Sequence, residues 1–294
     1  MKILLTGATG YVGKRLLPVL VEQGHEILAC TRDKTRFEIL ESWKGKVEVV
    51  EVDFLEVPQF ADFPTDFDVA YYLIHSMTAA IGEFSKQESQ SALYFKAYMD
   101  ASTVQQVIYL TGIVNESENL SPHLQSRLDV ENILNTCRAP LTALRAGIIV
   151  GSGSASFEII RDIVEKLPIM IAPKWLNTKC QPIGIRNVIQ YLTGVLLQEY
   201  FYNQNFDISN GETLTYKEML MGYAKVRHLK RYIFTVPVMS PRLSSYWLFF
   251  VTSTSYALAV NLVDSMKVNV IARNNDLQKM LSIQPISNKQ AVQR

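Results

Sequence analysis

Short, nearly continuous apolar runs recur along the chain at residues 3–5, 27–30, 67–74, 107–110 and 141–146. Between them, as at Leu16, Leu17, Leu20 and Val21, apolar residues return at three- and four-residue spacing. The first pattern predicts strands covered on both faces, and the second predicts amphipathic helices lying against them. Strands are expected ahead of Gly7 and at residues 25–31, 46–52, 67–74, 106–111 and 141–146. Helices are expected from Lys14 to a stop at Gly24, over 84–104, and from about 122 to 137, the last entered by Ser121 as cap and Pro122 at the first helical position. Residues 32–40 read as a charged turn entering a short helix.

This strand–helix alternation through residue 150 predicts an α/β fold with a doubly wound parallel sheet. Residues 151–294 are less regular and are expected to form a smaller α/β lobe on the substrate side, with segments returning to the sheet. There, helices are predicted at 156–166, 185–198 and 216–226, the last capped by Thr215, with a strand at 206–209 and a proline-bounded connection at 168–173.

The first strand ends in Thr6-Gly7-Ala-Thr9-Gly10-Tyr11-Val12-Gly13, three glycines at three-residue spacing just before a helix. A strand, a glycine turn and a helix N-terminus make the site that a pyrophosphate needs: backbone N–H donors and the positive end of a helix dipole. Gly7 would allow the tight turn, Gly10 the approach of phosphate, and Gly13 the close packing of helix on sheet. The unit therefore reads as the entry to a Rossmann-type dinucleotide site, with Gly7, Thr9, Gly10, Tyr11, Val12 and Gly13 as its candidate binding residues. An acid closing the second strand would select NAD, and a base there NADP. Thr31-Arg32 stands in that place, so NADP is expected over NAD, with Asp33 as a neighbouring counterweight. Asp53, closing the third strand, is a candidate partner for the adenine amino group or else a turn aspartate. His75-Ser76-Met77 follows the fourth strand, which would put His75 near the nicotinamide ribose.

Composition narrows the partners. The chain has 29 basic and 28 acidic residues, a net charge of +1, which supplies no electrostatic drive toward nucleic acid. Cys30, Cys137 and Cys180 are widely spaced, and the four histidines show no metal-ligand spacing, as expected of a cytoplasmic protein without structural zinc. Gly7 to Gly13 interrupt the first apolar run, so no secretory signal is expected. Residues 246–263 are apolar and aromatic but broken by Thr252-Ser-Thr-Ser255, which suits buried or interfacial helix and peripheral membrane contact rather than a span.

Gly7-Ala-Thr-Gly10-Tyr-Val-Gly13 resembles the fingerprint of extended and atypical short-chain dehydrogenase/reductases (SDRs). Leu144-Arg145-Ala-Gly147-Ile-Ile-Val-Gly151 and the stretch from Phe206 to Glu218 are similar to later segments of the same group. The nearest likeness is to the NmrA-like NAD(P)-binding proteins, often labelled nucleoside-diphosphate-sugar epimerase-like, and it extends to about residue 220. The resemblance implies a Tyr-x-x-x-Lys pair on the helix after the fifth strand, yet none of the 14 tyrosines is followed four residues later by lysine. The longer pattern Tyr-x-x-x-Lys-x-x-x-Glu aligns with His123-Leu-Gln-Ser-Arg127-Leu-Asp-Val-Glu131. His123 then stands for the tyrosine and Arg127 for the lysine, on one helix face. Arg127 can donate to ribose hydroxyls, and His123, neutral beside a cation, can act as acid/base. Thr111 takes the place of the family serine that orients a carbonyl oxygen.

The catalytic candidates are thus Thr111, His123 and Arg127. Three readings follow from the resemblance: an NADP-dependent oxidoreductase on a small, apolar carbonyl or quinone-like substrate, a non-catalytic NADP(H)-binding sensor or assembly factor, and a sugar-nucleotide epimerase.

Overall fold

The computed structural model of the chain describes residues 1–57, 63–75, 84–114, 122–236, 260 and 266–293, without the side chains of Phe84, Pro122 and His123. Ser76, Met77, Ser121, the imidazole of His123 and all of the apolar stretch 246–263 except residue 260 lie outside the described residues.

Six strands in the first half, β1 (Lys2–Leu5), β2 (Glu26–Thr31), β3 (Val47–Glu51), β4 (Val69–Tyr72), β5 (Gln106–Gly112) and β6 (Leu141–Ala146), join one parallel sheet. A seventh strand, Gln204–Ile208, returns from the second half and pairs in parallel with β6. The order is (Gln204–Ile208)-β6-β5-β4-β1-β2-β3. The chain therefore winds outward in both directions from β1, and the reversal between β1 and β4 opens a crevice at their carboxyl ends.

Alternating side chains separate two cores. Ile3, Leu5, Ile27, Ala29, Val69, Tyr71 and Ile108 face α1 (Gly13–Glu22) and α5 (Ile185–Gly194), meeting Leu16, Leu17, Leu20, Val188 and Leu192. Leu4, Leu28, Ala70, Tyr72, Val107 and Tyr109 face the other way, against Ala92, Phe95 and Met99 of α2 (Phe84–Asp100) and Val130 and Leu134 of α3 (Pro122–Leu134). Each fully buried Leu or Phe contributes about 1.5–3 kcal/mol, so both helix layers are held by burial rather than by their own propensity. The Tyr71 hydroxyl donates to Leu192 O at 2.8 Å, which satisfies its one polar atom inside the first core.

A third core lies under α4 (Ala155–Lys166) and α6 (Tyr216–Val226). Thr215 caps α6 in a reciprocal box with Glu218: Glu218 N donates to Thr215 Oγ1 at 3.1 Å, and Thr215 N to Glu218 Oε2 at 2.7 Å. Two expectations of local structure need correction. The proline-bounded stretch 168–173 is a strand, Ile169–Pro173, paired in parallel with Tyr232–Val236. Its partner lies some sixty residues away in the chain, a distance no local pattern reveals. The helix expected after Arg32 is reduced to single turns, Lys34–Arg36 and Glu41–Trp43, with no fully buried residue and only partly buried Phe37 and Trp43 packed against the first core.

Candidate nucleotide site

The carboxyl ends of β1 to β6 surround one cavity of about 670 Å³. Its floor is the glycine turn. Gly7 sits at φ +64°, and a Cβ there would come within 2.6 Å of Leu73 O. Gly10 N donates to Gly7 O at 2.8 Å, closing the turn. A Cβ on Gly13 would meet Gly7 O at 2.2 Å and Ala8 Cα at 2.9 Å. The third glycine thus lets the first turn of α1 lie against the backbone that leaves β1. The backbone N–H groups of Tyr11, Val12 and Gly13 have no acceptor among the described residues, as the first turn of a helix leaves them. They border the cavity at the positive end of α1.

Tyr11 is held in place by Arg15, whose guanidinium lies 4.0 Å over its ring and donates to Tyr11 O and Ser152 O. The Tyr11 hydroxyl is buried without a hydrogen-bond partner among the described residues, and burial raises its pKa.

At one end of the cavity, Arg32 is exposed and forms no ion pair among the described residues. Asp33 beside it is engaged by its own turn. Its carboxylate accepts from Thr35 N at 2.9 Å and from Thr35 Oγ1 at 2.6 Å, and these bonds lower its pKa. Asp53 lines the cavity while its Oδ1 accepts from Leu55 N at 2.9 Å, so one oxygen is already used by its own turn. Cys30 also reaches the cavity, but burial pushes its thiol up to about 12, which removes it as a nucleophile near neutral pH.

At the other end lie Thr111, His75 and Arg127. Thr111 Oγ1 is buried and has no hydrogen-bond partner among the described residues. Arg127, 5% exposed, is engaged from behind: Nη1 bonds the His75 ring, and Glu88 of α2 lies 3.8 Å away. Glu88 in turn accepts from Ser126 Oγ at 2.9 Å. Tyr109 sits under this group beside Arg127 and Thr111, and burial pushes its phenol up to about 12. Arg127 therefore both borders the cavity and locks α2 to α3. His123 lies in the first turn of the same helix, one turn before Arg127.

Glu131, the last residue of the aligned pattern, points elsewhere. It accepts from Arg145 Nε at 2.9 Å and from Arg145 Nη2 at 2.7 Å, both side chains buried. This fork ties α3 to β6 and leaves Glu131 no part in the cavity. Residues the sequence reading passed over complete the wall: Gln87 and Ser91 from α2, Ser154 to Ser156 at the start of α4, and Tyr216. The run Gly151-Ser-Gly-Ser-Ala-Ser156 was the available signal, a second small-residue turn ahead of a helix. Among the described residues no three His, Cys, Asp or Glu side chains gather to hold a metal, and no helix is long and apolar enough to cross a membrane.

Solved structures share this architecture at low sequence identity. A nucleoside-diphosphate-sugar epimerase from Staphylococcus aureus superposes with a TM-score of 0.78 at 16% identity, over 100% of both chains. An epimerase from the methanogen Methanothermobacter thermautotrophicus gives 0.74 at 13% identity, over 100% of this chain and 90% of the other. The UDP-glucuronic acid 4-epimerase of Bacillus cereus, solved with UDP-glucuronic acid and NAD, gives 0.70 at 14%, over 99% and 96%. No curated protein matches the chain in sequence. The sequence model of the NmrA-like family matches residues 1–228, across the whole parallel sheet and α6. With that match and a seven-stranded SDR-type sheet, the chain belongs to the NmrA-like family.

Proposed function

We propose that the protein binds NADP(H) in this cavity and acts as an oxidoreductase on a small, apolar carbonyl or quinone-like substrate. One observation carries the reading. The cavity gathers three acceptor-less N–H groups at the start of α1, an exposed arginine at the end of β2 and an unpartnered buried hydroxyl at the end of β5. These are a diphosphate cradle, with a 2′-phosphate partner to one side of it and a carbonyl-orienting donor to the other, as the two halves of a dinucleotide require. The residues fit the group: the unpartnered Thr111 and Tyr11 hydroxyls have hydrogen-bonding capacity to offer a ligand.

Bound NADPH supplies hydride chemistry. The chain's own contribution is binding, orientation and proton supply. Tyr11, Val12 and Gly13 would hold the diphosphate through backbone N–H, Arg32 the 2′-phosphate, and Asp53 the adenine amino group. Thr111 would orient the substrate oxygen, and Arg127 and His75 would border the ribose. His123 would donate the proton that the missing tyrosine gives in related enzymes.

A second reading, an NADP(H)-binding sensor or assembly factor without turnover, draws support from Arg127. Its tie to Glu88 and His75 makes it a structural bolt as well as a donor. One experiment separates the two. NADPH oxidation is measured with quinones, aldehydes and UDP-sugars for wild type and His123→Phe. Turnover lost in the variant, at unchanged NADPH affinity, supports the enzyme. Tight NADPH binding with no turnover on any acceptor supports the sensor.

The coenzyme preference has its own test. Removing a charge-assisted contact to phosphate costs about 1.5–3 kcal/mol, so Arg32→Ala should weaken NADPH binding by roughly ten- to a hundredfold and leave NADH unchanged. Equal losses for both coenzymes, read by calorimetry, would remove Arg32 from the 2′-phosphate.

A further inference from the structure

The ribbon formed by Ile169–Pro173 and Tyr232–Val236 is apolar on its outer side as well as its inner one. Met170 and Ala172 are buried in the third core, and Ile233 packs against it. The alternate residues point away: Ile169 is 60% exposed, Ile171 57%, Tyr232 60% and Phe234 59%. The parallel register sets Tyr232 beside Ile169 and Phe234 beside Ile171, so the four form one patch on one face. Contiguous exposure of large apolar side chains marks a surface that meets something other than water.

Charge indicates what it meets. Residues 165–180 and 218–236, which build the ribbon and its approaches, contain seven Lys or Arg against two acids, and both acids are engaged, Glu165 by Arg227 and Glu218 in the Thr215 box. Because the strands run parallel, Lys166 and the pair Lys230-Arg231 enter at the same end. Two of the seven are matched by neighbouring carboxylates, Lys166 by Asp162 and Arg227 by Glu165. Lys174, Lys225 and Lys230 are exposed, with no carboxylate partner among the described residues. Two aromatics and two isoleucines with a basic surround match an anionic lipid surface: rings and aliphatic chains enter the headgroup layer while ammonium groups meet lipid phosphates. A second copy of the chain suits it less, since a two-fold contact through this patch would bring the same cations together.

We propose that this face docks the protein on an anionic membrane surface, peripherally and reversibly. The test uses the full chain with sedimenting vesicles of phosphatidylcholine, alone or mixed with phosphatidylglycerol. The wild type should sediment with the mixed vesicles, less so in high salt, and hardly with phosphatidylcholine alone. Ile171→Ser with Phe234→Ser should lower the partition coefficient roughly tenfold. Both positions are solvent-exposed, so Tm should stay near wild type. Lys225→Glu with Lys230→Glu should remove the phosphatidylglycerol dependence. No sedimentation of the wild type, or equal sedimentation of the serine variant, would overturn the proposal. So would a dimer in light scattering that the serine variant dissolves while vesicles leave the wild type in solution, which would assign the patch to a second copy.

Discussion

Gly13→Ala is expected to destabilise the protein by at least about 3 kcal/mol and to abolish NADPH binding, because it places a group where backbone already stands. The new Cβ would lie 2.2 Å from Gly7 O and 2.9 Å from Ala8 Cα. Neither atom belongs to a side chain that can rotate aside. Relief requires opening the turn, which breaks the Gly10 N to Gly7 O bond and displaces the free N–H groups of Tyr11 to Gly13. Gly211→Ala is the control. Gly211 has φ +81°, but an added Cβ meets nothing within 4 Å, so only the left-handed backbone is penalised, at about 1 kcal/mol. Urea unfolding of both variants checks the contrast. Similar small losses in the two would mean that the turn is plastic and that Gly13 is not required by its geometry.

The second large effect concerns Glu131 and Arg145. Glu131→Gln or Arg145→Met alone is expected to cost about 3–5 kcal/mol, since each leaves a buried group without its partner. The double variant Glu131→Leu with Arg145→Met should recover most of that loss and stand within about 2 kcal/mol of wild type, because apolar groups of similar volume need no partner in the interior. The basis is a two-pronged contact at 2.9 and 2.7 Å between side chains that are 3% and 9% exposed. NADPH affinity, compared among the variants that fold, should hold, as Glu131 is not on the cavity. Additive losses in the double variant, from denaturant midpoints, would show that the pair does not act as a unit.

The strands and the nucleotide turn were legible in the sequence because their causes are local. Apolar runs such as Val107–Leu110 can be satisfied only by burial on both faces, and a glycine triplet between strand and helix has few other uses. The Thr215–Glu218 box was readable for the same reason. What stayed hidden depends on distant partners. The strand Ile169–Pro173 exists because Tyr232–Val236 pairs with it, and two flanking prolines made it look like a connection. The spacing His123-x-x-x-Arg127-x-x-x-Glu131 suggested paired roles for His123 and Arg127 on one helix face. In the fold, Arg127 looks to Glu88 and His75, and Glu131 looks to Arg145 on β6. One-face spacing says which residues share a helix side, not which neighbour each one meets. The Asp33 carboxylate stands beside Arg32 in the sequence as a counterweight, and in the fold Thr35 takes one of its oxygens while its charge remains.

The glycine turn, Arg32 and Thr111 are proposed to surround a site for NADP(H). Calorimetric titration of the full chain with NADPH and with NADH tests this directly. Saturable binding of one NADPH per chain is expected, at least about tenfold tighter than NADH, as one charge-assisted phosphate contact supplies. No saturable heat with either coenzyme would contradict the proposal.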